Sequence, residues 1–263
     1  MAATFLVREA LWRVSSLLND TDPQFEHWPE IELVQWLNDA HLAIAKFLPV
    51  ASSRIDSIKL KPGARQSIES IAAADCIPGD GVALTEPILG SSLLSVNCNM
   101  GADGNTPGDA IRIVDREVLD VQVPGWRAKT GLKVRAFTYD PNTPRYFNVS
   151  PAVPPSPAVW AEVSYNAQPV KIPPGGPAGT PVYHYGGSNA VRISVADEHM
   201  DDLVNYTVAR ARMKNNSATA DGKAGDFVAL FVNSINAKVT AITGTNPNLK
   251  RLPLVTEPIG AAS

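Results

Sequence analysis

Five ionisable residues, Asp197, Glu198, His199, Asp201 and Asp202, crowd into six positions, and carboxylates with an imidazole at that density are the donor set of a divalent-cation site. The same residues open a helical pattern. Helix geometry spreads them around the first turn, where acidic side chains are placed to meet the macrodipole, so no metal is expected. Asp103-Gly104-Asn105 is a fragment of a calcium-loop pattern without the closing Glu and reads as a turn. Gly186-Gly187-Ser188 lacks the G-x-S-x-G form of a nucleophile elbow. Cys76 and Cys98 have no metal-ligand spacing and are expected as free thiols. His41 falls on the apolar arc of its helix, the position of a packed core or interface histidine rather than of a ligand or base. The sequence carries no phosphate-binding glycine loop, no recognisable catalytic carboxylate pair and no basic stripe with interleaved aromatics. The expectation is a protein without catalytic residues, metal or cofactor, and therefore not an enzyme.

The element around which the rest is arranged runs from Trp28 to Leu48. Pro29 suits a first helical position, Glu30 and Glu32 favour the N-terminal end, and Pro49 supplies a stop. On a helical wheel Leu33, Val34, Trp36, Leu37, Ala40, Ile44, Phe47 and Leu48 form an apolar arc of roughly 160°. Ile31 and Leu42 fall in the opposite, polar sector, and a neighbouring segment or subunit is expected to cover them. Trp36 and His41 are assigned to packing between helices or subunits.

Before this helix, Thr4 is expected to cap a first one striped by Val7, Ala10, Leu11, Val14, Leu17 and Leu18. After Pro49 the period changes to alternation. Ile58, Leu60 and Ile68 suggest a hairpin across Pro62-Gly63, and Leu93 to Cys98 and Ala110 to Val114 suggest two further strands. Asp115 should cap a short helix, with Trp126 packing back on the sheet. A second hairpin is expected across Asp140 to Pro144, and another strand from Val159 to Tyr165, for about five to seven strands in all. A Pro- and Gly-rich connection from Gln168 to Gly187 leads back to helices at Asp197 and about Thr219. The expected fold is α+β, a helical bundle formed by the N- and C-terminal helices with an inserted β-rich domain and an extended C-terminal tail. Its parts are an N-terminal helix pair, 1–49, the β-rich domain, 50–196, a C-terminal helix pair, 197–243, and the tail, 244–263. The tail spaces Leu249, Leu252, Leu254 and Val255 among prolines, and such a segment orders itself along a partner or not at all.

A composition of 44% hydrophobic and 19% charged residues over 263 residues is globular and long enough for one large or two small domains. A net charge of −3 lacks the footprint of a sequence-independent nucleic-acid binder. No apolar run approaches the ~20 residues that span a bilayer, and the first residues lack the order of a signal peptide, so a soluble protein with no membrane partner is expected.

Taken in order, these motifs resemble the adaptor, or head-to-tail connector, proteins of tailed bacteriophages. The landmarks are Trp28, Glu32, Leu33, Trp36, Leu37, Asn38 and Asp39, then Pro62, Gly63, Arg65 and Gln66, then Val114, Asp115, Arg116 and Leu119. Trp126, Asp140, Pro141, Pro144 and Phe147 follow, and Asp202 and Tyr206 complete the set, which spans most of residues 28 to 235. The resemblance implies a non-enzymatic virion protein made in the bacterial host cytoplasm and placed at the head-to-tail interface. It implies a homo-oligomeric ring, typically a dodecamer, that joins the portal protein to a tail or nozzle protein and lets genome DNA pass through its lumen without specific binding. The Leu249 to Val255 segment is then a portal-binding tail, and Ile31, Trp36, His41 and Leu42 are interface residues. The competing reading is a virion- or surface-associated hydrolase or carbohydrate-binding protein whose site uses Trp126, Tyr139, Tyr146, Trp160, Tyr183 and Tyr185.

Overall fold

Between positions 53 and 168 apolar and polar side chains alternate and the chain forms sheets; outside that range the apolar residues recur at helical spacing and the chain forms most of its helices. The computed structural model describes all residues except 1–3, 23–24, 26, 85, 175–180, 215–220 and 246–263. Its helices are α1 (Val7–Leu18), α2 (Glu30–Phe47), α3 (Arg116–Gln122), α4 (Met200–Lys214) and α5 (Asp221–Thr245). Its strands are β1 (Ser53–Lys59), β2 (Gly63–Ser67), β3 (Cys76–Pro78), β4 (Gly90–Met100), β5 (Pro107–Ala110), β6 (Arg112–Ile113), β7 (Ala136–Tyr139), β8 (Tyr146–Val153) and β9 (Trp160–Ala167). Two compact units result, Met1–Ser52 with Pro169–Ser263, and Ser53–Gln168.

The α+β class agrees with the sequence reading, but the expected architecture is corrected. The protein is not a helical bundle with a β-rich insert: two sheets, of five and four strands, dominate a mixed fold with five helices among the described residues. The helices themselves do not close a bundle core. α1, α2 and α5 each lie along α4, with little contact between α1 and α2. Part of their shared core comes from non-helical chain, through the buried side chains of Ile172, Tyr183, Ile193 and Val195.

The first unit is held by contacts far apart in sequence. α1 runs parallel to α4, since Thr4 binds Asp197 near the start of α4 and the Leu17 carbonyl accepts from Arg212 near its end, at 2.7 Å. α2 runs the other way, with Lys214 Nζ 2.7 Å from Glu32 at the far end of α4. Leu11, Val14, Leu33, Leu37, Ile44, Leu203, Phe231 and Ile235 are wholly buried between these elements. Truncating one such leucine to alanine costs roughly 2–5 kcal/mol. Thr4 is not the cap that its sequence suggests. Leu6 occupies that position, Glu9 Oε2 accepts from the Leu6 amide at 2.9 Å, and Thr4 gives its amide and hydroxyl to Asp197 instead.

The second unit packs both sheets over one core, with order β3-β1-β9-β4-β5 in one and β2-β8-β7-β6 in the other. All neighbours are antiparallel except β6 and β7. The hairpin expected across Pro62-Gly63 is absent, because β1 pairs with β3 and β9 whereas β2 pairs with β8 in the other sheet. The turn therefore carries the chain from sheet to sheet. Gly63 supplies a left-handed φ of 105° there, and the Gln66 amide ties the corner by bonding the Lys61 amide and carbonyl at 2.8 and 2.7 Å. The second expected hairpin is present as β7–β8, its turn closed by Asp140 Oδ1 accepting from the Asn142 amide at 2.9 Å. Asp115 caps α3 through the Glu117 amide at 2.9 Å. Strands β1 and β9 bring Ser53 and Asn166 into register, so the chain enters and leaves this unit at one place.

Candidate assembly surface

Helix α2 turns one side to the α4-centred core and the other to solvent. Ile31 is 61% exposed and Leu42 53% exposed. They are eleven residues apart, three turns, and so lie above one another on the same face, about 16 Å apart along the axis. Gln35 and Lys46 are exposed on the same stripe. Between them Asn38 turns outwards and clasps passing chain, its Oδ1 accepting from the Ile172 amide at 2.8 Å and its Nδ2 donating to the Ile172 carbonyl at 3.0 Å. Glu30 does the same at the helix start, its buried carboxylate accepting from the amides of Val182 and Tyr183 at 2.9 and 2.5 Å. These two clasps fix the chain that leads back to α4, and so fix the presentation of the stripe.

The other two proposed interface residues have different surroundings. Trp36 is half-buried with its ring edge-on to Trp28, centroids 6.2 Å apart. His41 is 1% exposed. Its Nδ1–H donates to the Leu37 carbonyl at 2.8 Å, which leaves Nε2 to accept from the Ser194 amide at 3.3 Å. Burial lowers its pKa to about 4, against an upward pull from the Leu37 bond, so the ring is neutral at pH 7. Leu249, Leu252, Leu254 and Val255 lie outside the described residues.

A second outward face lies on α1 and the start of α4. Trp12 and Leu17, 40% and 42% exposed, border a groove with Arg13, Ser16, Asp201 and Asn205. Leu17 was expected in the buried stripe of α1, but it sits in the last turn, where the helix passes the edge of its core. Tyr185 stacks against Trp12 with ring centroids 5.0 Å apart, and Arg13 Nη1 pairs with Asp201 at 3.2 Å. Sequence reading did not bring Trp12 and Tyr185 together, because they are 173 positions apart and nothing local signals the contact.

The residues that suggested chemistry serve separate structural contacts. Asp197 binds Thr4, which holds its carboxyl below the usual carboxylate range, and Asp201 pairs with Arg13. The buried Asp202 and His199 and the half-buried Lys238 form a cluster joining the start of α4 to α5, with Lys238 Nζ 2.6 Å from Asp202 Oδ2 and donating to the Glu198 carbonyl at 2.7 Å. Burial opposes the charge on Asp202, yet hydrogen bonds from His199 and Lys238 hold its carboxyl below the usual range. Among the described residues no group of three His, Cys, Asp or Glu side chains is placed to hold a metal ion. Asp103-Gly104-Asn105 is a turn in which Asp103 Oδ1 accepts from the Asn105 amide at 3.1 Å. Cys76 and Cys98 are free thiols, and burial beside Asp56 pushes the Cys76 thiol up to about 12.

The six aromatics of the competing reading each make contacts within their own unit. Trp126 is buried and donates to Asp120 at 2.8 Å, Tyr146 to Glu69 at 2.7 Å, and Tyr183 to the Pro173 carbonyl at 3.0 Å. Trp160 packs over Gly104, where an added Cβ would come within 2.9 Å of its ring, and Tyr185 stacks on Trp12. Tyr139 is half-buried against the core of the sheets.

Outward apolar side chains on α1 and α2 are thus carried by helices whose inner faces pack in the core. The chain belongs to the SU10 adaptor protein family, whose model matches residues 7–251. It is a structural adaptor of a tailed bacteriophage. No curated protein matches the chain. Among the described residues no helix is long and apolar enough to cross a membrane.

Proposed function

We propose that the protein forms the adaptor ring that joins the capsid portal to the tail, with genome DNA passing through its lumen. The observation that carries this reading is the family match over residues 7–251. The ring is a homo-oligomer whose size is set by the portal beneath which it sits rather than by its own affinity, and twelve copies are the expected number. The stripe of Ile31 and Leu42 supports the subunit contact, since each side chain is large, apolar and more than half exposed. Trp36 and His41 act beneath that stripe by fixing α2 on its core. Residues Leu249, Leu252, Leu254 and Val255 follow α5 in sequence and supply the apolar side chains of the portal contact.

The overall charge of −3 supports a passive passage, because a lining rich in Lys and Arg would retain DNA through its phosphates. A ring map showing a lumen densely lined by basic side chains contradicts that part of the reading. The portal contact is tested by co-sedimentation with purified portal rings, comparing the full chain with one ending at Thr245. The full chain should co-sediment, and the shortened chain should do so at least severalfold less while keeping its unfolding transition. Equal attachment of both removes the role of the tail.

A further inference from the structure

We propose that Leu42 of one copy seats between Trp12 and Leu17 of the next, with Lys46 of the first meeting Asp201 of the second. This rests on the ring reading above and names the two surfaces that close the ring. A closed ring needs a heterologous interface, in which each copy presents two different patches that fit one another. The α4-centred unit has two such patches. α1 and α2 both lie along α4 with little contact between them, so their outward faces are on separate flanks of it.

The patches are also complementary in kind. On α2, Leu42 is 53% exposed and Lys46 follows one turn later on the same face. On α1 and α4, Trp12 and Leu17 flank a groove at whose rim stands Asp201, its side chain 87% exposed. An apolar projection with a cation one turn beyond it thus faces a groove walled by Trp12 and Leu17, with the Arg13–Asp201 ion pair at its rim and the Asp201 carboxylate still exposed to a second cation. Tyr185 stiffens the groove by stacking on Trp12. Each copy therefore offers its α2 patch to the groove of one neighbour and its own groove to the other, and the rim ion pair sets register and orientation.

Disulfide trapping on the assembled portal complex tests the contact. With Cys98→Ser as background, the double variant Leu17→Cys/Leu42→Cys should give a non-reducing ladder of dimers and higher multimers, and each single variant should stay monomeric. Lys46→Glu and Asp201→Lys should each weaken assembly about tenfold, the size of a 1.4 kcal/mol rim effect, and together should restore it. A portal complex that carries several copies but gives neither the ladder nor the charge-swap rescue overturns this inference and leaves the ring reading standing. Full-length protein that never exceeds one copy per complex overturns both.

Discussion

At the scale of single residues, the histidine is the most informative group. The wheel places His41 on the apolar arc of α2, and it is buried there, both ring nitrogens bonded to backbone. Protonation must occur at Nε2, which would turn the acceptor for the Ser194 amide into a second donor facing it. The folded pKa of about 4 lies below the ordinary 6.5, so the unfolded chain binds the proton more tightly. Stability from this group is fully present above pH 6.5 and falls as the pH drops towards 4, by about 3 kcal/mol in all. Urea unfolding at pH 7 and pH 4 should therefore show the native chain losing about 3 kcal/mol more than His41→Gln; equal losses contradict the assignment. The wheel also anticipates the exposure of Ile31 and Leu42, since polar-sector positions of a surface helix face solvent. What it misses are Glu30 and Asn38, which read as ordinary polar-face residues. Their partners are the backbones of Val182, Tyr183 and Ile172, and a contact between a side chain and a backbone over 130 positions away leaves no mark in local spacing.

At the scale of elements, helices and the β7–β8 hairpin were legible because their signals are local: a stripe, a cap, a turn. The cap of α1 was misplaced because Thr4 finds a stronger partner in Asp197, which lies near the other end of the chain. The Pro62-Gly63 turn was identified as a turn but assigned the wrong task. Alternation on both sides of a tight turn describes a hairpin and a sheet-to-sheet corner equally well, and only the pairing of β1 with β9 and of β2 with β8 distinguishes them. Since pairing sets these sheets from within, and Ser53 lies opposite Asn166, the segment 53–168 should fold when produced alone. Thermal or urea unfolding of that fragment should be a single cooperative transition with strand-type circular dichroism. A gradual, non-cooperative melt would show that the sheets depend on the rest of the chain.

For the whole molecule, the α+β class was readable from the change of period near Pro49, but the balance within it was not. Two well-patterned helical ends suggest a bundle with an insert, whereas among the described residues nine strands in two sheets dominate and non-helical chain fills part of the helical core. The family was legible only through the order of many weak landmarks, and the family match over residues 7–251 shows it independently. The role proposed for this adaptor depends on its joining a portal as many copies. Native mass measurement of purified portal rings saturated with the full-length protein tests this most directly. The account predicts a single added mass close to twelve times 28.1 kDa. A portal that gains no mass, with the protein remaining at 28.1 kDa, contradicts it.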